Sequence, residues 1–168
     1  MTCSHLTPDE LLALLDDLDI PSRTIDHPPV FTVAEAKQLR GTLPGGNCKS
    51  LFLKNKKGKM WLVVLPEDHR TNLIALADRL GTKRLSFASP ERLQEYLGVI
   101  PGAVTPFAAA NDVGGLVDLV VAAELLNEPV LNFHPLVNDR TTTISSADFL
   151  LFLNAIDHPP LLVATSEI

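Results

Sequence analysis

The chain has 168 residues, 46% of them apolar and 20% charged, with a net charge of −6 at pH 7. This balance excludes a disordered chain and fits a single soluble domain, residues 1–168, with a full hydrophobic core. It also argues against a protein that coats long nucleic acid non-specifically; no apolar run spans a bilayer, and "MTCSHLTPDE" lacks the pattern of a secretory signal.

Thr7-Pro8-Asp9-Glu10 opens the first predicted helix, with Thr7 as cap, Pro8 at the first helical position and Glu10 completing a capping box. Leu11, Leu15 and Leu18 then share one face. "PSRTIDHPP" reads as a short strand stopped by prolines. Thr32-Val33-Ala34-Glu35 repeats the capping spacing and predicts a short helix ending near Arg40, and "GTLPGG" reads as a loop. Residues 49–54 and 59–65 read as two strands joined by an "NKKG" hairpin turn. A helix is expected from Arg70 to Leu80, stopped by Gly81, then a brief strand at "RLSFA" and a helix from Ser89-Pro90 to near Gly98. "PGAVTPFAAAND" reads as a loop punctuated by glycine and proline. Residues 116–122 read as a strand, followed by a turn through Asn127-Glu128-Pro129. "VLNFHP" and "TTTI" are further strands, and Ser145-x-x-Asp148 caps a terminal helix reaching about Ile156. Helices and strands mix without strict βαβ alternation. The expected class is α+β with a central mixed, strongly curved sheet flanked by helices.

Phosphate-binding, dinucleotide-binding, nucleophile-elbow and zinc-protease motifs are all missing. The five histidines show no ligand spacing and Cys3 and Cys48 are not paired, so neither a metal nor a disulfide framework is expected, and a reducing, cytoplasmic setting follows. Three local features remain. In "GGNCKSLFLK", Lys49 shares a strand face with Leu51 and Leu53. It either snorkels, stem packed and amine wet, or reaches into a cleft to hold an anion such as phosphate. In "IPGAVTPF", Gly102 and Pro106 bracket a loop of small side chains. This is either a tight turn or a backbone that a ligand can touch, with N–H groups placed for a developing oxyanion. In "NFHPLVND", His134 precedes proline and so is extended at a strand end, as a structural residue or as one that positions a water or hydroxyl. A Cys48–His134 nucleophilic pair is opposed by alternation: with Lys49 facing a cleft, Cys48 should face away.

These features in this order resemble the YbaK/EbsC-type aminoacyl-tRNA editing domains, which also occur as an insertion in bacterial prolyl-tRNA synthetases. The matching stretches are "HPPVFTVAEA", "NCKSLFLKNKKGKMWLVVLPEDHRTNL", "LGVIPGAVTPF" and "LNFHPLVNDRTTTISSADF". Among the family's branches the chain looks most like the free-standing prolyl-tRNA deacylases that remove alanine. The resemblance implies a trans-editing hydrolase of alanyl-tRNA(Pro), with seryl-tRNA as a second substrate. It implies the tRNA acceptor end and prolyl-tRNA synthetase as partners, with no membrane and no cofactor. A proline pocket cannot keep out alanine, because a missing methylene is worth only ~1–3 kcal/mol, whereas a second, smaller site rejects by size.

The resemblance also assigns roles. Lys49 would grip the phosphate or ribose of the terminal adenosine. Gly102 would face the ester carbonyl, and His134 would orient the ribose or the amino acid. Val30, Phe31, Thr32, Pro106 and Leu136 would wall the pocket, although Thr32 is also a good helix cap. Lys54, Lys56, Lys57 and Lys59 would either meet acceptor-stem phosphates beside the cleft or form a solvated hairpin tip. The alternative is a non-catalytic module of the same fold that binds tRNA or a synthetase.

Overall fold

The run Met60–Leu65 has no alternation of apolar and polar residues. In the computed structural model it forms strand β3 (Met60–Pro66), buried at every residue before Pro66 because neighbouring strands flank it and both faces are covered. The structure describes residues 4–32, 34, 35, 38 and 45–168. The other strands are β1 (Arg23–Asp26), β2 (Gly46–Lys54), β4 (Ser86–Phe87), β5 (Val117–Ala122), β6 (Val130–Phe133), β7 (Arg140–Ser145) and β8 (Leu161–Val163). Among the described residues they form one mixed sheet in the order β1-β7-β6-β2-β3-β5-β8, with β4 paired to β2 off this path. The β2–β6, β3–β5 and β5–β8 pairs are parallel and the others antiparallel. The expected α+β class with a mixed sheet is what the chain adopts.

Among the described residues, four helices with complete bounds flank the sheet: α1 (Pro8–Asp17), α2 (Leu73–Leu80), α3 (Pro90–Leu97) and α4 (Ser146–Ala155). Their starts follow side-chain chemistry. Thr7 and Glu10 form the full capping box, Ser89 Oγ accepts from Arg92 N at 3.2 Å, and Ser145 Oγ accepts from Asp148 N at 3.0 Å. The second helix begins at Leu73 rather than Arg70, because Asn72 Oδ1 takes the N–H groups of Ile74 and Ala75. No helix among the described residues is long and apolar enough to cross a membrane.

The segment read as a loop after Ile100 is instead two 3-10 turns, Pro101–Ala103 and Pro106–Asn111, and Phe107, Ala108 and Ala109 are fully buried. Phe107 meets Phe133 edge-on at 5.5 Å and Phe152 at 5.3 Å, and Phe133 in turn stacks near Phe149 at 4.7 Å. Such contacts add ~0.5–1.5 kcal/mol each beyond area burial. They anchor the loop to β6 and α4, which fixes where Gly102 lies. A further 3-10 turn at Ala123–Asn127 and strand β8 were not expected from the sequence. The helix predicted to end near Arg40 lies largely outside the described residues.

Candidate active site

The site sits in a fork of the sheet. One edge of β2 pairs with β3 from Cys48 to Lys54. Its other edge pairs with β6 only at Gly46 and Asn47, and with β4 only at Leu53 and Lys54. Between them lies an edge with no strand partner among the described residues. The loop carrying Pro101, Gly102 and Val104 crosses this gap and shares a cavity with it. Glycine makes the close β2–β6 approach possible. Gly45 has φ +103°, and a Cβ there would lie 2.6 Å from Val130 Cγ2. The Gly-Gly turn thus delivers Lys49 to the end of β6, where His134 follows.

The cavity, about 140 Å³, brings together residues from five stretches of chain: Val30, Phe31 and Thr32; Cys48, Lys49 and Ser50; Glu67; Pro101, Gly102 and Val104; and His134. Lys49 does not end in open solvent, since its Nζ donates to the His69 carbonyl. An ammonium carries three protons, so this contact orients the amine and leaves two for an anion. Thr32 Oγ1 accepts from Glu35 N at 3.1 Å, and Glu35 Oε2 accepts from Phe31 N at 3.0 Å, so Thr32 both caps and lines the cavity. Glu67, only 8% exposed, adds a carboxylate to the wall opposite in charge to Lys49.

At its inner end the cavity adjoins a void of about 20 Å³, lined by Cys48, Ser50, Val104, Thr105, Asn132, Phe133, His134 and Thr141. That volume holds one water, and the lining supplies the polar partners a water needs. His134 Nδ1 lies 3.0 Å from the Arg140 carbonyl, which only accepts, so Nδ1 carries the proton and Nε2 is the acceptor of the neutral ring. His27 Nδ1 likewise donates to the Pro28 carbonyl at 2.8 Å, which leaves its Nε2 to accept from the Thr141 hydroxyl at 2.8 Å. These bonds fix two of the polar groups that face the void.

The structure thus gathers Lys49, Gly102, His134, Val30, Phe31 and Thr32 in one place. Pro106 and Leu136 do not line the cavity. Pro106 is buried at the start of a 3-10 turn, and Leu136 is buried at φ +68° in the turn after His134. Cys48 departs from the alternation argument: it shares the cavity with Lys49, because a cavity at an unpaired strand edge reaches side chains of both faces. Its thiol points back to the Gly46 carbonyl at 3.7 Å. The lysines at 54–59 lie at the other end of β2, not beside the cleft, roughly 20 Å away at about 3.3 Å per residue. Lys59 is paired with Asp118 at 2.9 Å. Sequence reasoning missed Glu67, Thr105, Asn132 and Thr141. Asn132, set between Leu131 and Phe133 in an apolar strand and 4% exposed, was the available signal, since a buried polar group needs partners. It has them in Asn47 and Thr143.

The aminoacyl-tRNA editing domain model matches residues 27–152, most of the chain. The prolyl-tRNA editing protein ProX of Acetoanaerobium sticklandii is 37% identical over 82% of this chain and 85% of its own length. The multifunctional Ser/Thr-tRNA deacylase ProXp-y of Escherichia coli is 29% identical over 89% of this chain and 90% of its own. Among solved structures, a protein described as a candidate trans-editing enzyme for prolyl tRNA synthetase superposes with a TM-score of 0.70. It is 19% identical, covering 96% of this chain and 98% of that one, a likeness of fold.

Proposed function

The chain belongs to the aminoacyl-tRNA editing domain family, and on that premise we propose that it is a trans-editing deacylase that removes alanine from mischarged tRNA(Pro). The observation that carries this reading is the convergence of Lys49, Gly102 and His134, distant in sequence, on one small cavity at an open strand edge. A cavity of this kind suits an ester that is already activated, for which a held water and a site for the oxyanion are enough.

In this reading the terminal adenosine enters with its phosphate or ribose on the Lys49 ammonium. The aminoacyl group lies against Val30, Phe31 and Thr32, and its α-ammonium faces the Glu67 carboxylate. The ester carbonyl lies along the Gly102 backbone. A water in the inner void, beside His134 and Thr141, attacks the carbonyl carbon. His134 Nε2 orients this water or the neighbouring ribose hydroxyl, which can carry the proton away. The tetrahedral oxyanion collapses, the bond to the ribose oxygen breaks, and that oxygen takes up a proton. The products are free alanine and tRNA. No side chain of the protein forms a bond to the substrate.

In this reading alanine is taken over proline by size, the selection that the panel of charged tRNAs tests. Serine adds one hydroxyl and is the next substrate to test, in line with the name of the E. coli relative. The partners in this reading are the acceptor end of tRNA and prolyl-tRNA synthetase.

The test is a panel of tRNAs charged with alanine, serine, cysteine or proline. The reading expects fast hydrolysis of the alanyl ester and a prolyl ester left intact. Hydrolysis of none of them, with tRNA binding retained, would favour a non-catalytic binding module.

A further inference from the structure

Thr141 stands between two imidazoles. It lies on β7 opposite Ile25 of β1, and the chain runs on from β1 to His27, whose N–H donates to the Asp139 carbonyl at 2.9 Å. On the other side β6 pairs with β7 up to Phe133, and His134 comes next. The rings of His27 and His134 lie 6.2 Å apart, centroid to centroid. Three neighbouring strands thus bring His27, Thr141 and His134 together at the inner end of the cavity. Thr141, only 3% exposed, and His134 line the inner void, and His27 stands behind Thr141, outside that lining. His27 has no task in the deacylase reading.

A hydroxyl has one proton to give and two lone pairs to offer. The His27 Nδ1 proton goes to the Pro28 carbonyl at 2.8 Å, so Nε2 takes the Thr141 proton, also at 2.8 Å. Towards the void Thr141 can then only accept. Thr105 has the opposite sense, since its Oγ1 accepts from Phe107 N at 3.3 Å and its own proton remains to be given. The void therefore offers a water one threonine acceptor and one threonine donor. The next residue along β7 shows that such polarity is not automatic. Thr142 meets the Thr24 hydroxyl at 2.8 Å, where either oxygen can donate.

We propose that Thr141 accepts one hydrogen of the attacking water, and that His27 is the positioning residue that keeps its hydroxyl turned that way. The proposal rests on the deacylase reading for the reaction and adds no bond to it; the water's other hydrogen leaves as in that reading. Without His27 the Thr141 hydroxyl can rotate and donate to the water, occupying the lone pair that should meet the ester carbon. A reacting group misplaced in this way costs rate rather than substrate affinity.

The experiment is a double-mutant cycle of His27→Phe and Thr141→Val, read as kcat and KM on alanyl-tRNA(Pro). Each single variant loses about tenfold in kcat with KM nearly unchanged. The double variant is no slower than Thr141→Val alone, because His27 acts only through that hydroxyl. His27→Gln, whose amide oxygen can take the place of Nε2, recovers most of kcat, and Thr141→Ser does the same for the hydroxyl. Thermal unfolding of each variant establishes that it is folded. Nitrogen NMR of the imidazoles is a second readout that needs no substrate: His27 carries its proton on Nδ1, and the Nε2 signal shifts in Thr141→Val. With an active wild type, losses that multiply in the double variant would overturn the proposal alone. So would a loss confined to KM, or a neutral His27 with its proton on Nε2. A wild type that cleaves no ester would overturn the deacylase reading itself, and this assignment with it.

Discussion

A methyl group at Gly102 would lie 2.9 Å from Cδ1 of Phe31 and 3.1 Å from Nδ2 of Asn138, so only glycine lets this loop lie against the Phe31 ring. Asn138 cannot move away cheaply, because its Nδ2 donates to the Val30 carbonyl at 3.1 Å while Val30 N donates to its carbonyl. Phe31, 65% exposed, can. Gly102→Ala should therefore swing the ring across the cavity and lower kcat/KM by about tenfold, ~1.4 kcal/mol in the barrier, with little change in melting temperature. Adding Phe31→Ala should recover part of the loss. A double variant no better than the single would show that the glycine matters for another reason.

Removing the Lys49 amine takes a charged donor from the substrate. Such contacts are worth ~1.5–3 kcal/mol, so Lys49→Ala should lose about ten- to a hundredfold in kcat/KM. Lys49→Met keeps the length of the stem and isolates the charge. Steady-state kinetics on alanyl-tRNA(Pro) read both.

His134 has a structural nitrogen and a working one. His134→Asn keeps a donor near the Nδ1 position, facing the Arg140 carbonyl, and removes Nε2. It should keep its melting temperature within a few degrees and lose deacylation by about tenfold or more. Loss of stability with activity intact would make the imidazole purely structural.

Cys48 lines the cavity, yet a water mechanism has no use for its thiol. Cys48→Ala should keep kcat within about threefold of wild type. A loss of about 100-fold or more would revive the thiol nucleophile.

Stability has its own anchor away from the site. Buried Asp112 accepts from Leu116 N at 3.1 Å and Val117 N at 2.8 Å, and its Oδ2 meets His158 Nε2 at 2.9 Å, tying the start of β5 to the segment after α4. Asp112→Ala leaves three polar groups unmatched and should cost ~3–5 kcal/mol. Urea denaturation measures this, and deacylation at low temperature should persist.

Local chemistry made much of this fold legible. Thr7, Ser89 and Ser145 announced their helices because each side chain takes a backbone N–H that the helix cannot satisfy itself. Lys49, Gly102 and His134 stood out because each breaks a local expectation: a charge at an apolar strand, a glycine among small residues, a histidine before proline. What stayed hidden depends on contacts distant in sequence. The fork exists because β6 and β4 pair with different ends of β2, which no window of sequence reveals. The alternation rule misjudged Cys48 because it sorts side chains by face, and a cavity at the edge of β2 takes in both faces. Phe107 made its loop a core element through partners at Phe133 and Phe152, long-range contacts that glycine and proline punctuation conceals. Glu67 carries no local signal: it reaches the cavity through a contact across the sheet, its N–H donating to the Asn47 carbonyl at 3.0 Å.

The most direct test follows free alanine released from alanyl-tRNA(Pro) by wild type and by Lys49→Ala, beside prolyl-tRNA(Pro) under the same conditions. The account predicts rapid release by wild type, a loss of about tenfold or more in the variant, and a prolyl ester that outlasts the assay. Equal rates for the two proteins, or prolyl-tRNA cleaved as fast as alanyl-tRNA, would contradict it.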